Sequence, residues 1–526
     1  MREAASTAVV IGGGIAGLAS AALLAREGYE VDLLEQRDEL GGRIGAWEPD
    51  GFRFDTGPSW YLMPEVFEHF FALFGTSAAE ELDLTVLDPG YRVFFEGHRE
   101  AVDVRASRSR NVATFEAIEP GAGGRLEEYL DSADDAYRIA LRRFLYSNFD
   151  SVSSQLRWDV VTRTPRLLRL LTQSLEDFIS ERFEDRRLAQ ILGYPAVFLG
   201  TSPDRAPSMY HLMSRLDLAD GVLYPQGGFR RVADAVAGLA RGAGARLHTG
   251  ATVTTVLTGP RAGRRQAAEV TGVRYLDASG TERTISADVV VGAADLHHLE
   301  TDLLPESRRS YPQRYWDRRD PGPGAVLVCV GVRGALPQLA HHSLFFTADW
   351  HRNFDSIFGE RRGVPDPASV YACKPSETDP TVAPDGCENL FLLVPVPPDV
   401  TLGRGGVDGG GDAAVERVAD AALAQVAEWA GIEDLPSRTV VRRTWGPGDF
   451  ADDFNAWSGG ALGPAHTLRQ SAFLRTANVS RRVAGLYYAG AGTVPGIGLP
   501  MCLISAELLV KRLRGDRSAD PLDVPA

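Results

Sequence analysis

Residues 8–18 read Ala8-Val9-Val10-Ile11-Gly12-Gly13-Gly14-Ile15-Ala16-Gly17-Leu18: an apolar, largely β-branched run, a glycine turn, then the start of a Leu/Ala-rich helix. A short apolar run of this kind predicts a buried parallel strand. Gly12 permits the tight turn, Gly14 lets backbone approach a pyrophosphate, and Gly17 lets the helix pack closely on the strand. The helix N-terminus adds free N–H groups and the positive end of a dipole. A second run, Glu30-Val31-Asp32-Leu33-Leu34, ends in Glu35, whose spacing from Gly12 suits an acid that binds adenosine ribose hydroxyls and disfavours a 2′-phosphate. Gly41-Gly42-Arg43 then offers a second close approach and a guanidinium for a diphosphate. A mobile NAD seldom needs that second clamp, so the pattern favours FAD, with Asp55-Thr56-Gly57-Pro58-Ser59 forming a turn that runs past a flavin ring system.

The rest of the 526 residues narrows the class. Fifty-five basic against 70 acidic residues give a net charge of −15, which leaves no global positive field for nucleic acid. Lys374 and Lys511 are the only lysines, so the basic charge is almost all arginine. Cys329, Cys373, Cys387 and Cys502 form no CxxC pair, which argues against a disulfide scaffold or a structural zinc and fits a reducing cytoplasm. The apolar stretch Val9 to Ala25 resembles a signal peptide in hydropathy, but its glycines assign it to the turn. No later stretch reaches the apolar length that a spanning helix needs.

The segments Val10 to Leu18, Glu35, Gly41-Gly42-Arg43 and Asp55-Thr56-Gly57-Pro58 resemble the amino-terminal signature of FAD-dependent amine oxidases, protoporphyrinogen oxidases and bacterial-type phytoene desaturases. Three further stretches resemble the phytoene desaturase branch. They are Phe198 to Pro203 with Pro207 to Tyr210, Asp220 to Phe229, and Tyr488 to Pro500. The chain departs from many members at Val494, where they carry His, and at Met501-Cys502, where they carry small residues. The resemblance implies an α/β fold: a Rossmann-like FAD-binding domain assembled from discontinuous segments, with a mixed α+β substrate domain. It implies FAD contacts at Gly12, Gly14, Ala16, Gly17, Glu35, Gln36, Gly42, Arg43, Thr56, Gly57, Pro58, Val253, Gly492 and Met501. It further implies hydride transfer to flavin from an apolar polyene such as phytoene, with oxygen or a quinone as electron acceptor. A carboxylate and water both stay open as proton acceptor, and no catalytic residue is assigned. Other carotenoid chemistry (3,4-desaturation, isomerisation, terminal oxidation), amine or porphyrinogen oxidation, and a flavin-binding protein without turnover remain open.

The expected FAD-binding pieces are residues 1–75, 221–300 and 455–526, with a helical, membrane-facing region over 76–220 and a substrate domain of sheet and helices over 301–454. Val270 to Leu276 and Thr281 to Ile285 read as a hairpin across Asp277-Ala-Ser-Gly280, and Pro500 opens a helix through Leu513. Arg163 to Ile179 reads as an amphipathic basic helix, with Arg163, Arg166 and Arg169 beside Leu167, Leu171 and Leu175. Such a helix suits either a solvated charged face or peripheral contact with an anionic membrane. His297-His298 and His341-His342 are adjacent pairs whose rings should diverge, without an acid or cysteine spaced for a metal. Gly403 to Asp412 reads as a flexible surface loop whose Asp412 caps the next helix, and the tail after Leu513 as disordered. No nucleophile elbow occurs.

Overall fold

The computed structural model describes residues 6–149, 169–261, 268–432 and 434–525. Its organising element is a five-stranded, all-parallel sheet in the order Leu486–Tyr488, Val289–Gly292, Thr7–Ile11, Glu30–Leu34, Arg246–His248. Distant parts of the chain therefore build one sheet around the first glycine turn. The helix Ile15–Arg26 packs on it with Arg230–Gly242 and Leu499–Arg514, through a core that includes Leu18, Leu23, Val236 and Leu508. The opposite face is covered by the antiparallel strands Thr252–Pro260, Ala268–Leu276 and Glu282–Ser286, whose Val253, Val256 and Val273 meet Val9, Ile11 and Val290. Both faces are thus buried, which is why the central strands are apolar throughout rather than alternating.

A second sheet of seven strands runs in the order Thr439–Trp445, Gly324–Arg333, Cys387–Val396, Val370–Cys373, His342–Phe346, Tyr91–Phe95, Val102–Val104. Alternation sorts its side chains. Val326, Val328, Phe94 and Phe345 pack with the helix Ala413–Ala430, whereas Tyr91, Phe95, Leu344 and Phe346 pack on the helical region that includes Ala122–Ala140. The strands Tyr91–Phe95 and Val102–Val104 lie inside the stretch read as helical from sequence, since that sheet edge needs a partner far away in the chain.

Three local expectations change. Arg163, Arg166 and Leu167 lie outside the described residues. The chain from Arg169 to Ile179 is not one helix, because Ser174 bridges Pro207 and caps a new helix, Leu175–Ser180; Leu175 is buried while Leu171 is exposed. The loop Gly403 to Asp412 is bound rather than free. Asp408 N–H donates to Arg442 and Thr444 N–H to Gly406; Asp412 holds the N-cap position of Ala413–Ala430 as expected, but its carboxylate accepts from Arg404 N–H at 2.8 Å rather than from the helix. The tail folds back as well. Lys511 Nζ donates to the Ser518 carbonyl at 2.9 Å, Leu522 N–H donates to Glu507 at 3.1 Å, and Leu522 is buried.

Gly17 tests the helix–strand crossing. A Cβ there would stand 1.9 Å from the Gly12 carbonyl oxygen, a backbone atom that cannot rotate away. Gly17→Ala should therefore destabilise the chain by about 1–3 kcal/mol or prevent folding, read as a lower thermal midpoint even without ligand.

Candidate functional site

One cavity of about 930 Å³ begins at the glycine turn and runs between the parallel sheet and the second lobe. At its nucleotide end two loops are stitched together: Gly41 N–H donates to the Gly13 carbonyl at 2.8 Å, and Gly12 N–H to Leu34 at 2.9 Å. A Cβ on Gly42 would meet Gly14 Cα at 3.0 Å, while one on Gly14 would find no atom nearer than Gly42 Cα at 3.9 Å. Gly14 thus presents bare backbone to open space. Ala16, in the first turn of Ile15–Arg26, lines the same space, where helix N–H groups lack intrahelical partners.

Every sequence-nominated position except Gly17 lines this cavity. Gly17 is spent on the helix–strand contact instead. Glu35 accepts Gly13 N–H at 2.6 Å and Arg37 N–H at 2.9 Å, so its carboxylate also holds the turn that shapes the cradle. Gln36 donates to the Asp453 carbonyl at 2.9 Å and accepts from Asn455 at 3.0 Å. Gly57 closes on Arg43, since a Cβ there would stand 1.8 Å from the Arg43 carbonyl oxygen. Val253 lies in the strand Thr252–Pro260, and Gly492 and Met501 flank the opposite loop.

Arg43 decides what the cradle suits. The residue is half-buried, its Nε is buried without a hydrogen-bond partner, and among the described residues its one hydrogen bond to protein is a long 3.5 Å contact with the Gly460 carbonyl. Burial lowers its pKa, opposed chiefly by the charge of Asp295. A buried guanidinium without a carboxylate partner is costly unless an anion completes it. An orphaned cation beside an open glycine backbone and a helix N-terminus is a donor set for a dinucleotide diphosphate, so the residues present fit FAD.

The opposite wall is a loop the sequence did not explain. Arg475, which is buried, donates through Nε to Thr493 at 3.0 Å, through Nη1 to Gln470 at 3.1 Å, and through Nη2 to Pro464 at 3.2 Å and to Ala491. Burial lowers its pKa to about 10. His466 Nε2 accepts Ile497 N–H at 3.1 Å, so in the neutral ring favoured by burial Nδ1 carries the proton and donates to Tyr210 Oη at 2.7 Å. These bonds fix the Gly490 to Pro500 segment that leads into the helix Leu499–Arg514, whose N-terminus faces the cavity.

Beyond this the cavity becomes aromatic and uncharged. Trp60, Phe144, Phe149, Tyr194, Phe198, Phe346, Trp350, Phe354, Tyr371 and Phe391 line it; its charged lining groups, Glu35, Arg43, Asp295 and Asp453, all stand at the nucleotide end. In the wall Ser59 Oγ lies 2.6 Å from Tyr371 Oη, which lies 2.8 Å from His342 Nδ1 behind it. Tyr194 and Tyr91 donate to Asp217 Oδ2 at 2.7 and 2.9 Å. Sequence reasoning missed these partners because each joins segments far apart in the chain. It also misread the second histidine pair. The His341 and His342 rings lie 4.6 Å apart and meet Cys373, because His341 occupies a bend before the strand rather than a regular position within it. His297 and His298 do diverge, one stacking on Trp457 and the other pairing with Asp302.

Comparison with known proteins places the geometry. The family profile described as "Flavin containing amine oxidoreductase" matches residues 15–513. A carotenoid 3,4-desaturase of Haloarcula japonica is 41% identical over 507 residues, covering 96% of this chain and 98% of that protein. A zeta-carotene-forming phytoene desaturase of Myxococcus xanthus is 34% identical over 511 residues, covering 96% and 93%. Among solved structures, an oxidoreductase from Methanosarcina mazei superposes with a TM-score of 0.57 at 17% identity, covering 96% of this chain and all of that one.

Asp217 supplies a test of the wall's electrostatics. Burial raises its pKa from 3.8 to about 6 against the two tyrosine hydroxyls. Between those values the folded chain holds a proton that the unfolded chain has released, so this group's contribution to stability is full below pH 3.8 and falls as pH rises to 6. Relative to Asp217→Asn, the native chain should therefore lose about 2 kcal/mol of unfolding free energy between pH 4 and 7, measured by urea unfolding at both values.

Proposed function

The chain belongs to the flavin-containing amine oxidoreductase family, and from that premise we propose that it is an FAD-dependent carotenoid desaturase acting on an acyclic polyene. The observation that carries this reading is the cavity: a cradle suited to a dinucleotide opens into an aromatic channel with no charged side chain among the described residues. Such a channel suits a long hydrocarbon that offers no polar handle. A porphyrinogen would bring carboxylates into it without a cation to meet them, and an amine would bring a head group without an anion.

In this reading Gly12, Gly14, Ala16, Gly42 and Arg43 hold the diphosphate, Glu35 the ribose, and Val253 the adenine. Thr56, Gly57, Pro58, Gly492 and Met501 bound the ring end, and Gln36 ties the cradle to Asn455. FAD, when bound, would supply the two-electron acceptor for hydride, with oxygen or a quinone as the proposed onward acceptor. The aromatic wall holds a saturated carbon–carbon bond in place, excludes water, and stabilises transient positive charge on the chain through ring faces. Each new double bond removes one hydride and one proton. The 41% identity to a protein named for 3,4-desaturation favours a second reading, in which the substrate is an already desaturated carotenoid.

Access from a lipid surface is part of the proposal. Leu171, Leu468 and Phe473 line the cavity yet are 42, 46 and 47% exposed, and Leu474 beside them is 55% exposed. No helix among the described residues is long and apolar enough to cross a membrane. The exposed apolar side chains at the cavity mouth support peripheral contact, which the proposal places on the cytoplasmic side.

Expression in a host that accumulates phytoene should yield pigments lighter by successive hydrogen pairs and absorbing in the visible. An unchanged phytoene pool, with loss of a hydrogen pair in a lycopene-accumulating host, would select the second reading; no change in either host would refute both. Gly14→Ala and Arg43→Met should fold yet lose flavin affinity by roughly tenfold to a hundredfold, and lose pigment with it, as read by bound flavin absorbance. Liposome co-sedimentation should fall severalfold in the double variant Phe473→Ser, Leu474→Ser while bound flavin is unchanged.

A further inference from the structure

We propose that His341, His342 and Cys373 form a buried site for a single transition-metal ion, of the class bound by imidazole and thiolate, set behind the cavity wall. Strand pairing places His342 directly opposite Cys373, and the bend before that strand turns His341 toward them. One ligand atom from each residue lies within 4.8 Å of the other two, and the residues are 2, 0 and 2% exposed.

The histidines carry the inference. Nε2 of both rings is buried without a hydrogen-bond partner, while Nδ1 of His341 lies 2.7 Å from Thr378 Oγ1 and Nδ1 of His342 lies 2.8 Å from Tyr371 Oη. Imidazoles that bind metal are held this way, with one nitrogen given to an outer hydrogen-bond partner and the other left bare. Tyr371 in turn reaches Ser59 at 2.6 Å, and the His342 ring stacks on Trp60 at 4.6 Å and 11°. Two orphaned ring nitrogens in a core are costly for protein alone. A cation satisfies both at once.

Two nitrogens and one sulfur suit Zn2+, Co2+ or copper and not Mg2+ or Ca2+. Burial keeps both imidazoles neutral, His341 down to about 3, which is their ligand form. It also pushes the Cys373 thiol up, so binding forms a metal–sulfur bond, breaks the S–H bond and releases one proton to solvent. The charged neighbours are provided for: Lys374 Nζ pairs with Glu377 at 2.6 Å and donates to Leu336 at 2.8 Å, and Asp379 adds negative charge near His341. Ligand atoms around zinc stand about 3.3–3.8 Å apart given bond lengths of about 2.0–2.3 Å, so small rotations of the rings and the thiol close the set. The site would pin His342–Phe346 to Val370–Cys373 and brace Tyr371 and Trp60 on the cavity wall. It is independent of which substrate the cavity takes.

The test uses the full chain, without a histidine tag, expressed in separate media supplemented with zinc, cobalt and copper. Metal content after purification and gel filtration should reach about one ion per chain, and the cobalt form should show tetrahedral d–d bands with thiolate-to-cobalt charge transfer. Cys373→Ser and His341→Gln should each lower metal content or affinity by about tenfold or more, whereas Cys387→Ser should keep it. Circular dichroism confirms that each variant is folded. Folded native chain that holds no stoichiometric ion from any medium overturns the proposal even if both variants fail to fold. Metal retained in both variants, or cobalt spectra without thiolate charge transfer, overturns it equally.

Discussion

The contact between Gly17 and the Gly12 carbonyl governs the rest of the molecule. Because no side chain separates them, the helix Ile15–Arg26 starts directly on the end of the central strand, and its first turn faces the cavity. Glu35 then fastens the same turn from the neighbouring strand through Gly13 N–H, and Gly41 fastens the second loop to it through the Gly13 carbonyl. The backbone of the cradle is held at three points. Widening any of them would move the helix, the neighbouring strand or the second loop, so cofactor geometry and sheet geometry are one constraint.

The second lobe answers a different demand. A hydrocarbon substrate gives the protein nothing to hydrogen-bond, so selectivity rests on shape and on the absence of charge. The aromatic channel meets this by carrying no charged side chain among the described residues and by tying its tyrosine hydroxyls to protein partners. Tyr194 and Tyr91 turn their hydroxyls onto Asp217, and Tyr371 turns its own onto Ser59 and His342. Ring faces and edges are left for the cavity, and these hydroxyls find their partners within the protein. The wide seven-stranded sheet serves as the rigid backing for this wall.

What could be read from sequence was what lies close together in the chain. The strand, turn and helix of residues 8–18, the acid at the end of the second strand and the hairpin across Asp277 to Gly280 follow from local periodicity and turn chemistry, and each is present. Glu35 was legible as a cradle residue but not in its bonding to Gly13, since nothing local reports where a carboxylate's partners lie. Tyr91–Phe95 was hidden because an edge strand paired in parallel with His342–Phe346 has no nearby partner. The glycine loop at 403–412 and the tail at 516–522 looked free by composition, and are bound by Arg442, Thr444, Lys511 and Glu507 instead. The His341, His342 and Cys373 cluster shows the same limit: spacing along the chain excluded it, and strand register assembled it.

Two arginines of the cavity wall without carboxylate partners among the described residues, Arg475 buried and Arg43 half-buried, separate what the chain completes alone from what it leaves to a ligand. Arg475 has three nitrogens bonded to carbonyl oxygens, so its loop is finished in the protein by itself. Arg43 has one long bond and an orphaned Nε, so its environment is finished only when an anion arrives. A group that costs stability when empty and restores it when filled couples folding to binding, because a ligand that binds only the native state stabilises it in proportion to the logarithm of its concentration over Kd. The cofactor is thereby a structural component as much as a reagent. The folded population of this chain should follow the supply of dinucleotide, and the substrate lobe, which meets the cradle along a single cavity, inherits that dependence.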